Sequence, residues 1–100
     1  MNEIIMGKKN TSKVMIRNAY ITKHKNLFWY TPENKLFDIP DSFLVETILN
    51  YGSLDDVKEL FNLLGIKKVA KTFFSAKERM KLNYYPEIYN FFSLFFAKYA

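Results

Sequence analysis

One hundred residues carrying a formal charge of +5 make one small domain, large enough for a modest core without metal or disulfide staples. The chain has no cysteine, which excludes disulfides and thiolate metal sites, and its scarce glycine and proline against 18% aromatic residues favour helices over sandwiches. The most apolar run, Phe91 to Ala97, is far too short to span a bilayer, and no secretory signal stretch opens the sequence, so a reducing cytoplasm is the expected location and no membrane partner is expected.

In chain order, residues 1–26 form a basic arm. Lys8, Lys9, Lys13, Arg17, Lys23 and Lys25 face only Glu3, a surplus of +5. This segment shows no sustained periodicity, so a flexible, extended arm is expected, with a marginal strand at "KVMIRNAYIT". Residues 27–100 are expected to form a helical domain. It opens on "NLFWYTPENKLFDIP", an aromatic loop turning at Pro32 to Lys35. His24, just before it, has no second histidine or cysteine to complete a metal site and is expected to be a solvated loop residue.

Three helices follow. "DSFLVETILNYG" places Leu44, Val45, Ile48, Leu49 and Tyr51 on one broad face, with Asp38 and Asp41 flanking its start as caps and Gly52 closing it. Next, Ser53 caps a helix in which Asp56 holds the reciprocal capping-box position, and Gly65 supplies the stop. Leu54, Val57, Leu60, Phe61 and Leu64 recur there at intervals of three and four, the spacing of a buried stripe. A third helix starts at Ile66 with Val69, Ala70, Phe73 and Met80 inside, while Lys67, Lys68 and Lys71 share the outer side, joined by Arg79 if the helix continues.

The last helix, "PEIYNFFSLFFAKYA", carries Pro86 in its first turn, where a missing N–H costs nothing. On a helical wheel Ile88, Tyr99, Phe92, Phe95 and Phe91 gather around one direction, with Phe96 and Tyr89 on its shoulder and Leu94 on the other flank. The middle of that arc is expected in the core. The shoulder exceeds what short neighbouring helices cover, so Tyr89 and Phe96, together with Phe28 and Trp29, are the candidate protein-interface residues. Each ring also has core packing as its alternative. The fold class expected is thus mainly α, a small bundle of about four helices with a basic, extended N-terminal arm.

No set of nucleophile, base and orienting group is discernible, and the three glycines are isolated, so there is no phosphate loop; no enzyme activity, cofactor or metal is expected. The charge pattern runs basic, acidic, basic: residues 27–65 sum to −5 and residues 66–81 to +5. Such blocks serve a polyanion or hold the domain's own parts together. "DDVKELFNLLGIKKVAKTFF" resembles a helix-turn-helix with a basic second helix, although Phe61 stands where a small residue is usual. Lys8, Lys9, Lys13, Arg17, Lys67, Lys68 and Lys71 are accordingly candidate nucleic-acid contacts.

Leu27, Phe28 and Trp29, then Tyr51, Gly52, Leu54 and Asp56, then Asn90, Phe91 and Phe92 together resemble a small bacterial domain family of unknown function, commonly encoded beside AbiEii-type nucleotidyltransferase toxins. The resemblance spans residues 27–97 and leaves the basic arm outside it; Phe92 stands where tryptophan is more usual. It implies a non-enzymatic antitoxin or accessory partner that occupies a toxin's surface. A DNA- or RNA-binding regulator and a homodimer joined through the aromatic helix are the alternatives.

Overall fold

The computed structural model describes residues 2–76 and 83–100, with side chains from Ser12 onward. Two compact units divide the chain, Met1–Asp38 and Ile39–Ala100. Among the described residues there are five α-helices and two 3-10 helices and no strand, so the chain is mainly helical but holds more helices than the four expected. Met80 and Arg79, expected on the third helix, lie outside the described residues.

In the first unit, α1 spans Asn2–Lys23 and is followed by 3-10 helices at Lys25–Phe28 and Glu33–Asp38. Residues 13–22, legible as a strand, are therefore helical. Lysine, arginine and methionine are good helix formers, and they carry α1 with little help from an apolar stripe. Among its described side chains, from Ser12 onward, Tyr20 and Ile21 are buried, as is His24 just after the helix, while Val14, Met15 and Ile16 are exposed. With so few inward positions the helical period leaves little trace in the sequence.

His24 is likewise not a solvated loop residue. Its backbone N–H donates to the carbonyls of Tyr20 and Ile21 at 3.2 and 3.1 Å, closing α1. Its Nδ1 lies 2.8 Å from the Tyr20 carbonyl oxygen, which only accepts, so Nδ1 carries the proton. The imidazole also packs against the Tyr20 ring with centroids 4.4 Å apart. The Arg17 guanidinium donates to the Phe37 carbonyl at 3.3 Å and ties α1 to the second 3-10 helix.

In the second unit, α2 is Asp41–Tyr51, α3 Leu54–Leu64, α4 Ile66–Phe74 and α5 Pro86–Tyr99. Leu44, Val45, Ile48 and Leu49 of α2 are buried as their spacing predicts, and Tyr51 is exposed. The cap differs from the sequence expectation. Pro40, not Asp38 or Asp41, occupies the N-cap in extended backbone, and its carbonyl accepts from the N–H groups of Phe43 and Leu44. Asp41 begins the helix itself, where its charge favours the positive end of the dipole.

The two glycine junctions work by different physics. At Gly52 a Cβ would stand 2.7 Å from the Ile48 carbonyl oxygen and 3.1 Å from the Asp56 Cβ, so the corner between α2 and α3 has no room for a side chain. At Gly65 a Cβ would meet nothing within 4 Å, but φ is 87°, a conformation that disfavours other residues. Gly65→Ala is therefore expected to cost about 1–2 kcal/mol from backbone strain alone, measured as a lowered urea midpoint; an unchanged midpoint would contradict this account of the turn. Between these glycines Ser53 and Asp56 form the capping box, with Asp56 N–H donating to Ser53 Oγ at 3.1 Å and Ser53 N–H to Asp56 Oδ2 at 2.8 Å.

Helices α2, α3 and α4 pack against one another, and α5 lays one side over their aromatic centre. Phe73 of α4 is the hub, fully buried, with ring centroids 4.8 Å from Tyr89, 5.1 Å from Tyr84 and 5.4 Å from Phe96. The buried side of α5 is thus Tyr89, Phe92 and Phe96, turned about a quarter of the helix away from the centre of the apolar arc. An arc that wide does not choose its own inward face. The choice is made by Phe73 and by Asn50, whose amide donates to the Asn83 carbonyl at 2.8 Å and accepts the Tyr85 N–H at 3.1 Å, fixing the entry to α5.

Candidate protein-docking site

Within the first unit, the 3-10 helix Lys25–Phe28 sends adjacent aromatic side chains in different directions. Three residues per turn put neighbours about 120° apart. Phe28 is 1% exposed and belongs to the core, whereas Trp29 is 81% exposed. Thr31 N–H donates to the Phe28 carbonyl at 2.9 Å and Lys35 N–H to the Pro32 carbonyl at 2.9 Å, so the loop carrying Trp29 is held by its own backbone. Tyr30, also exposed, meets Trp29 edge-on with centroids 5.1 Å apart. Beside them a cleft of about 260 Å³ is lined by Lys25, Asn26, Phe28, Thr31, Glu33 and Leu36. Lys25 and Glu33 pair at 3.4 Å on its rim, both side chains largely in solvent, where such a pair contributes little.

The four interface candidates therefore separate. Trp29 is at the surface and Tyr89 is half-buried against Phe73. Phe28 and Phe96 are in the core, Phe96 being 2% exposed, because the turn at Phe28 and the rotation of α5 point them inward. The basic candidates are dispersed. Lys8 and Lys9 lie on α1, with side chains outside the described residues; Lys13 is exposed, and Arg17 is held on Phe37. Lys67, Lys68 and Lys71 are all exposed on α4, and Lys68 Nζ pairs with Asp41 Oδ2 at 3.1 Å.

The second unit holds a further cleft of about 310 Å³, lined by Asp41, Ser42, Glu46, Thr72, Ser75, Ala76 and Tyr84. Burial raises the Glu46 carboxyl above its ordinary value, and the Asn83 amide donating at 3.3 Å offsets part of that rise. Burial chiefly, then the charges of Glu46 and Tyr89, raise the Tyr84 phenol as well. A phenol so held keeps its proton at neutral pH and stands in the lining beside the carboxyls of Asp41 and Glu46. Among the described residues no group of three His, Cys, Asp or Glu is placed to hold a metal ion, and no helix is long and apolar enough to cross a membrane.

No family model, curated protein or solved structure matches this chain.

Glu46 yields a stability prediction. A carboxyl whose folded pKa is raised binds its proton more readily when folded, so its contribution favours folding at low pH and is lost as pH climbs from 4.5 through the folded value. Glu46→Gln is expected to flatten the pH dependence of urea stability in that window and to raise stability at pH 7; an unaltered slope would refute the burial cause. Sequence inspection does not find Tyr30 or Asn50. The former sits beside a tryptophan in a run where every ring looks alike, and the latter acts through residues 33 and 35 positions away.

Proposed function

We propose that this chain is a non-enzymatic docking module that presents Trp29 to a protein partner, and that the partner is a nucleotidyltransferase-type toxin for which it serves as antitoxin or accessory subunit. The observation that carries the docking role is Trp29 itself, 81% exposed on a loop held by backbone hydrogen bonds and flanked by Tyr30 and a polar-rimmed cleft. A large ring left in water contributes nothing to the fold, and tryptophan and tyrosine are the residues that dominate binding hot spots. A loop already in its binding conformation loses little entropy on association. The partner's class is supported by the resemblance carried by residues 27–97.

Co-expression with the product of the reading frame adjacent to its own gene, purification through one tag and light scattering test the proposal. A heteromer of fixed stoichiometry is expected. A chain that emerges without the toxin would reject the assignment of partner. The second function supported by a specific observation is nucleic-acid binding, because Lys67, Lys68 and Lys71 are all exposed on α4. It would be recognised by affinity for DNA or RNA that falls steeply with salt, as several phosphate contacts require.

A further inference from the structure

With Tyr89, Phe92 and Phe96 turned inward, α5 leaves its opposite side in water. Glu87, Phe91, Leu94 and Lys98 follow one another there at steps of four, three and four residues, which places them on a single stripe of the helix. All four are exposed, Phe91 at 55% and Leu94 at 67%. The stripe is bordered by Asn90 and Ala97 on one side, both exposed and neither bulky, and by Phe95 and Tyr99 on the other. Phe95 stacks on Phe61 and on Phe91, with centroids 5.9 and 6.1 Å apart.

The order of residues along the stripe is self-complementary. Glu87 and Lys98 are equidistant from the point between Phe92 and Ser93, and so are Phe91 and Leu94. A two-fold axis through that point, relating two antiparallel helices, brings Glu87 of each copy opposite Lys98 of the other and Phe91 of each opposite Leu94 of the other. Opposite charges close both ends of an apolar centre. The antiparallel arrangement also sets the helix dipoles head to tail. A parallel pairing would instead oppose like charges at each end.

We infer that this chain self-associates through α5 as an antiparallel, two-fold symmetric pair, with Phe91 and Leu94 at its centre and reciprocal Glu87–Lys98 contacts at its ends. The occupant of the stripe is a second copy of the chain, because an antiparallel copy of the same sequence meets all four positions with matching chemistry. A helix of fourteen residues is about 21 Å long, so the contact is a small one, to be sought at high chain concentration. This inference rests on α5 and is independent of the docking role given to Trp29.

Sedimentation equilibrium of the full chain from about 1 µM to 1 mM tests it. The wild type is expected to pass from monomer to dimer across that range. Leu94→Lys is expected to leave a monomer with an unchanged circular dichroism spectrum, because Leu94 is not part of the core. At low salt, Glu87→Lys alone and Lys98→Glu alone are each expected to weaken the dimer about tenfold, since each creates two like-charge contacts per pair. The double reversal is expected to restore it. A wild type that stays monomeric, a dimer indifferent to Leu94→Lys, or single reversals that the double change does not rescue would each overturn the inference.

Discussion

Phe96→Asp is expected to unfold the Ile39–Ala100 unit. The ring is 2% exposed and in contact with Phe73, Phe61, Phe74 and Phe92, at centroid distances of 5.4, 5.8, 6.2 and 5.5 Å respectively. Deleting a buried phenylalanine side chain costs about 3–5 kcal/mol, and forcing a carboxylate into the space adds the loss of its hydration. The sum is comparable to the whole stability of a domain this small, about 5–15 kcal/mol. The same change five residues earlier, Phe91→Asp, falls on an exposed ring and is expected to preserve the helical circular dichroism signal. Cooperative melting retained by Phe96→Asp would place that ring outside the core and contradict the orientation of α5.

Trp29→Ala is expected to have the opposite signature. Truncating a central hot-spot residue costs about 2–4 kcal/mol of binding, so affinity for the proposed partner should fall by a factor of about 30 to 1,000. Stability should barely move, because a residue 81% exposed has little to lose on truncation. Phe28→Ala, one position earlier, should do the reverse and destabilise the first unit, since Phe28 is 1% exposed. Adjacent rings with opposite behaviour are a specific consequence of the tight turn that ends at Phe28.

What the sequence reveals about this protein divides along the range of the forces involved. The ends of α3 are readable because their causes are local: Ser53 and Asp56 cap each other across one turn, and Gly65 adopts a backbone conformation that few other residues accept. The inward residues of α4 are readable too, since Val69, Ala70 and Phe73 sit opposite three lysines. The direction in which α5 faces is not. An arc of rings wider than one buried stripe leaves the choice to a partner in another helix, Phe73, and to an asparagine that fixes the entry to α5 from α2. α1 is hidden for the converse reason, having good helix formers but, among its side chains from Ser12 onward, few buried positions from which a period could be recognised. Of the candidate site, Trp29 is visible as one ring of an aromatic loop, while its separation from Phe28 depends on a 3-10 turn that leaves no pattern in so short a segment.

The most direct test of the docking role is a calorimetric titration of the proposed toxin partner with wild-type chain and with Trp29→Ala, each checked for an unchanged melting temperature. The account predicts saturable binding by the wild type and a loss of about 30-fold or more in the variant. Equal affinities for the two chains would contradict it, and would remove Trp29 from the interface.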